Sequence, residues 1–235
     1  MTLLLSDPRV AAVPVRDVDE PLVTLDPGFG PGNALVRNEL AVRLRFAQAA
    51  LPPGIHLRVV EGYRPADQQR AIIERYAAEI RADRPGIGEP ELHVLTSRFV
   101  APLAVAPHVA GAAVDLTLVD EAGKELDLGT PIDATPEQSG GRCYFAADDI
   151  SREARANRDL LARVLCREGL VNYPTEWWHY SYGDRYWALT TGAAAALYGP
   201  VASPVASPVA SPAASPVASP AVGSAVGSVS GSVTR

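Results

Sequence analysis

The sequence predicts an α+β fold, an antiparallel sheet with helices packed on one face. Three observations carry the prediction. Helical segments lie before and between strand segments, Glu121-Ala-Gly-Lys124 reads as a hairpin connection, and Gly183-Asp184 reads as a second one.

Taken in order, Asn33 to Leu51 places Val36, Leu40, Leu44, Ala47 and Leu51 at three- and four-residue spacing. That spacing predicts an amphipathic helix, which Pro52-Pro53-Gly54 stops. His56 to Val60 reads as a strand entering a turn at Glu61-Gly62-Tyr63-Arg64-Pro65. Pro65 suits the start of a second helix, with Ile72, Tyr76 and Ile80 as its buried stripe. Ala113 to Val119 alternates as a strand does, and a hairpin leads from it to Glu125-Leu-Asp-Leu128. Ser151 caps a helix that runs through Leu161, Val164 and Leu165 to Gly169. Trp177–Tyr182 and Arg185–Leu189 then read as the two arms of the last hairpin.

From Pro200 to Arg235 the chain is built of Pro, Val, Ala, Ser and Gly, with four-residue Ser-Pro-Val-Ala units from Val201 to Pro220. Proline every fourth residue opposes helix and central strand alike, so residues 200–235 are expected to be an extended, disordered tail. Residues 1–199 then form one domain. Almost all the charge lies in that domain, and the net value of -6 argues against a nucleic-acid binder that neutralises phosphate. No apolar run approaches the roughly 18 residues of a membrane span. The start, Met-Thr-Leu-Leu-Leu-Ser-Asp-Pro, lacks the basic opening and long apolar stretch of a secretory signal. Two cysteines, Cys143 and Cys166, are too few for a disulfide scaffold and too far apart for a Cys-x-x-Cys pair. The cytoplasm is the expected compartment, and any metal falls to histidine and carboxylate.

Of the four histidines, His56 sits in an apolar strand and His93 follows a Pro/Gly-rich loop without suitable neighbours, so both read as structural or surface residues. His108 and His179 each have a carboxylate in a constrained local sequence. In His108-Val-Ala-Gly111-Ala-Ala-Val-Asp115, the glycine allows a loop-borne imidazole and a strand carboxylate to converge on one cation. In Glu176-Trp-Trp-His179, residues three apart face opposite sides of a flat strand, so both reach one site only if the chain bends near Trp177. Two histidines and one carboxylate leave a fourth zinc position open, as in catalytic rather than structural sites. Glu176 is then available as general base. Spacing alone leaves the alternative of a satisfied strand histidine open; a zinc site here implies one ion per chain, because no other cluster offers three suitable ligands.

These elements together resemble the zinc D-alanyl-D-alanine dipeptidases of the VanX type, within the wider group of zinc D,D-peptidases. The resemblance rests on Glu61-Gly-Tyr-Arg64-Pro, His108-x-x-Gly-x-Ala-x-Asp115, Leu128-Gly-Thr-Pro-Ile-Asp133 and Glu176-Trp-Trp-His179, in the family's order and spanning roughly Val13 to Leu189. It implies that His108, Asp115 and His179 bind zinc, that Glu176 activates the water, and that Arg64 stabilises the transition state. Set between Tyr63 and Pro65, Arg64 has the stiff setting that stabilising an oxyanion requires. One departure is Ala106, where the family usually has Ser two residues before the first zinc histidine, so a hydroxyl is missing.

A dipeptidase must also bind a free ammonium, for which Asp133 is the candidate anchor; the alternative is a capping role after its turn. Trp177 and Trp178 read as core. The implied activity is hydrolysis of the D-alanyl-D-alanine dipeptide in peptidoglycan precursor turnover, with a small dipeptide as partner. Two other readings stand beside it, a D,D-carboxypeptidase acting on wall peptides and a non-catalytic zinc-binding recognition module. Retention of Glu176 and Arg64 argues against the second, since holding metal requires neither.

Overall fold

The computed structural model describes residues 2–32 and 34–201. In chain order the elements are α1 (Pro8–Ala12), β1 (Leu22–Thr24), β2 (Leu35–Arg37), α2 (Asn38–Ala49), β3 (Ile55–Glu61), α3 (Ala66–Asp83), α4 (Glu89–Ser97), β4 (Ala113–Asp120), α5 (Pro136–Ser139), α6 (Arg152–Arg167), β5 (Val171–Asn172), β6 (His179–Ser181) and α7 (Arg185–Thr191). Strands β3-β4-β6-β5 form an antiparallel sheet in that order, and β1 pairs with β2 in a separate antiparallel ribbon. The fold class is the expected one.

Strand β4 is buried from Ala113 to Val119, so its two faces do different work. Val114, Leu116 and Leu118 face the main core, where Leu57 and Val59 of β3 meet Leu40 and Leu44 of α2 and Leu161 and Leu165 of α6. Trp177 and Trp178 join this core at a ring separation of 5.4 Å, edge to face, as their apolar bulk favours. Asp115, between Val114 and Leu116 on the strand, points to the opposite side. Helix α3 walls a cavity there, and α4 packs against α3.

Several elements differ from expectation. The first long helix starts at Asn38, because Val36 belongs to β2 and pairs with Val23; Asn33 lies outside the described residues. The expected stripe of α3 is only half-buried, and Gln69 is its one buried residue, because the helix faces a cavity rather than the core. Helix α4 was not anticipated, and it places His93 on an exposed surface. After β4 the chain makes single backbone contacts, Asp120 with Lys124 and Leu126 with Leu118, instead of a paired second strand. The last hairpin is absent. Asp184 caps α7 by accepting hydrogen bonds from the N–H groups of Tyr186 (2.7 Å) and Trp187 (3.2 Å), so Gly183-Asp184 ends a strand and begins a helix.

Arg158 is a fully buried cation on α6 that donates to the carbonyls of Leu128, Arg142, Tyr144 and Phe145. It thereby fixes the long segment that carries Asp133. Burial pulls its pKa down to about 10. The expected tail from residue 202 onward lies outside the described residues; Val201 still donates its N–H to the carbonyl of Val109 at 2.9 Å. Among the described residues no helix is long and apolar enough to cross a membrane.

Candidate active site

Three strands bring the first residues of the site together by register alone. Glu61 of β3 pairs with Asp115 of β4, which pairs with His179 of β6. Directly opposed residues in a sheet share a face, so all three side chains project to the cavity side. His108 joins from a short 3-10 turn, His108–Ala110, closed by Gly111 at φ 66°. A side chain on Gly111 would be strained at that φ and would collide with Leu22.

The donor atoms converge. His179 Nδ1 lies 2.9 Å from Asp115 Oδ1, His108 Nε2 lies 3.3 Å from Asp115 Oδ2, and the two imidazole nitrogens are 3.1 Å apart. Ligands about 2 Å from a tetrahedral zinc stand roughly 3.3 Å from one another, so this buried His-Asp-His set fits the metal in spacing as well as in chemistry. His108 Nδ1 is 2.7 Å from the carbonyl of Gly62. A carbonyl only accepts, so Nδ1 carries the proton and Nε2 keeps the lone pair a metal needs.

Burial disfavours charge on His108, but the Asp115 carboxylate outweighs it and raises the imidazole pKa. Burial acts to raise Asp115 too, and the two histidines hold it well below the usual carboxylate range. Glu176 enters through the bend the sequence required. The N–H of His179 returns to the carbonyl of Glu176, leaving Glu176 Oε2 3.9 Å from His179 Nδ1. Burial, then the charges of Asp115 and Asp133, push the Glu176 carboxyl well above its ordinary value. Arg64 lines the same cavity, with Nε donating to Glu61 Oε1 at 2.7 Å and Nη1 to Gln69 Oε1 at 2.8 Å.

The cavity encloses about 310 Å³, and its walls also include Asp133 and Ala106. Asp133 sits at a left-handed φ of 63°, a conformation that costs a non-glycine residue energy. Its side chain reaches solvent, yet surrounding protein and then Asp115 and Glu61 raise its pKa. All six residues singled out in the sequence, His108, Asp115, His179, Glu176, Arg64 and Asp133, therefore line one pocket. Glu61 and Gln69 were not singled out, although Glu61 opens the Glu-Gly-Tyr-Arg-Pro turn.

The model of the Peptidase M15 family, described as D-ala-D-ala dipeptidase, matches residues 32–193. The chain belongs to this family. It is accordingly a zinc metallopeptidase, a hydrolase. A D-alanyl-D-alanine dipeptidase of Synechocystis sp. is 28% identical over 217 residues, covering 75% of this chain and 87% of that protein. One of Escherichia coli is 29% identical over 142 residues, 60% of this chain, and the chain spans 61% of that relative's length. Among solved structures, VanYB in complex with D-alanine-D-alanine is 19% identical with a TM-score of 0.46, covering 75% of this chain and 86% of that one.

Proposed function

We propose that the protein hydrolyses the D-alanyl-D-alanine dipeptide to two D-alanines, in peptidoglycan precursor turnover. The observation that carries the reading is the meeting of His108, Asp115 and His179 with Glu176 and Arg64 in one small cavity. Its volume lies at the low end of ligand pockets, about 300–1,000 Å³, and suits a dipeptide. D-alanyl-D-alanine dipeptidases among the relatives supply the substrate class.

His108, Asp115 and His179 hold one zinc ion in this reading. When bound there, zinc supplies Lewis acidity to a peptide carbonyl and to water. Glu176, whose Oε2 stands 3.9 Å from His179 Nδ1, takes the proton of the attacking water and returns it to the leaving nitrogen. Arg64 stabilises the negative oxygen that forms at the carbonyl. Asp133 pairs with the free ammonium of the substrate. The catalytic domain is residues 1–199, and residues 200–235 take no part in the chemistry. A cytoplasmic location belongs to the same reading, supported by the free thiols of Cys143 and Cys166.

A second reading, removal of D-alanine from a longer wall peptide, is favoured by one feature. Asp133 and Gln138 also line a neighbouring cavity of about 390 Å³, in which further residues of a peptide could lie. Incubation of the zinc-loaded protein with D-Ala-D-Ala, its N-acetyl derivative, L-Ala-L-Ala and a wall pentapeptide, with released alanine measured, separates the readings. A dipeptidase cleaves the first alone; preference for the acetylated dipeptide or the pentapeptide would establish the carboxypeptidase.

A further inference from the structure

Arg64 is gripped from two sides. The Glu61 carboxylate accepts from Nε and from Nη2, and Gln69 Oε1 accepts from Nη1. A guanidinium has five N–H bonds, of which these contacts use three, leaving one on each terminal nitrogen. Glu61 supplies a two-point, charge-assisted contact, but from three residues away on the same stretch of chain and with a side chain one-third exposed, so it does not tie Arg64 to another part of the fold. Gln69 is different in kind. It stands on α3, is 1% exposed, and spends its other end on the carbonyl of Ala101 at 2.8 Å. Both partners fix the amide's orientation, because a guanidinium only donates and a carbonyl only accepts. A buried amide is costly unless both ends are satisfied, and here the two ends join Arg64 to the segment that leads into His108.

We propose that Gln69 is a positioning residue for the reaction: its buried amide holds the guanidinium of Arg64 so that the two unused N–H groups face the forming oxyanion. The inference rests on the proposed hydrolysis.

Two variants separate this role from simple packing. Gln69→Glu keeps an acceptor for Arg64 and loses the donor to Ala101; Gln69→Leu loses both at similar size. Assayed as the full zinc-loaded chain, Gln69→Leu should lower kcat by about tenfold to a hundredfold with KM within about twofold, the scale of a misplaced catalytic group. Gln69→Glu should stay within about threefold of the parent, although the Ala101 contact is gone. In ¹⁵N NMR the Arg64 guanidinium of the parent should show slow rotation, with Nη signals that average in Gln69→Leu and stay resolved in Gln69→Glu. Equal losses in kcat for both variants, tracking their melting temperatures, would overturn the proposal, as would an Arg64 signal unchanged in Gln69→Leu. If the parent cleaves none of the peptides, the proposed function fails on its own, and the NMR comparison still decides whether Gln69 holds Arg64.

Discussion

Glu61 and Asp115 stand opposite each other only because β3 carries one extra residue. Val59 pairs with Leu116, and in an unbroken ladder Val60 would pair with Asp115; instead Glu61 does, and Val60 is bulged out to 48% exposure. The bulge reverses the side to which Glu61 points. Val59 faces the core, and two residues later Glu61 faces the cavity and grips Arg64.

Metal binding should follow the convergent donor set. One zinc per chain is expected by elemental analysis, and the double change His108→Ala with His179→Ala should abolish it, since only Asp115 of the cluster remains. Stoichiometric zinc in that variant would refute the ligand assignment.

Glu176→Gln should leave zinc content unchanged while the rate falls about a hundredfold to ten-thousandfold, the usual contribution of a general base. Loss of metal together with activity would show Glu176 to be a ligand, and its role would have to be exchanged with that of Asp115.

Arg64→Lys retains charge but cannot keep the fork shared by Glu61 and Gln69. Turnover should fall about a hundredfold to a thousandfold with a smaller change in KM, as for loss of one oxyanion donor. Normal turnover with a raised KM would make Arg64 a substrate-holding residue.

Arg158→Met should be strongly destabilising, because the carbonyls of Leu128, Arg142, Tyr144 and Phe145 lose a shared donor inside the protein. A loss of about 3 kcal/mol is expected. At about 2–4 °C per kcal/mol the melting temperature drops by roughly 6–12 °C, measurable by calorimetry. Zinc content should persist, as Arg158 touches none of the ligands.

Asp184 is buried, and burial raises its carboxyl pKa. A carboxyl raised in the folded state contributes stability that is present below its unfolded pKa and is lost as pH rises through the folded value. Asp184→Asn keeps the acceptor for Tyr186 and Trp187, so denaturant unfolding should show a flatter dependence on pH through that range. Asp184→Ala should also flatten that dependence, and it should cost about 1 kcal/mol through loss of the cap at low pH, a cost that shrinks as pH rises and the parent loses the stability of its protonated carboxyl.

The site was more legible in the sequence than the fold. His108, Asp115, Glu176 and His179 occur as short constrained pairs, and the rarity of histidine made each conspicuous. Gln69 carried no such signal, since an amide on a helix reads as surface until the cavity beside it is known. Glu61 depended on the bulge at Val60, which periodicity alone does not reveal. The last hairpin failed for a local reason: Gly-Asp suits a tight turn, but Asp is also a strong helix cap, and the half-buried face of α7 favoured capping.

The strand order β3-β4-β6-β5 also sets a timetable for the growing chain. When His108 and Asp115 leave the ribosome, β4 has its neighbour β3 on one side and nothing on the other. The open edge is filled only when β6 arrives, bearing His179, the last member of the proposed ligand set. A nascent chain therefore offers two of the three donors for the time needed to make 64 further residues, the separation of Asp115 and His179. On the proposed ligand set, tight zinc uptake would be a late event of biogenesis, coincident with closure of the sheet.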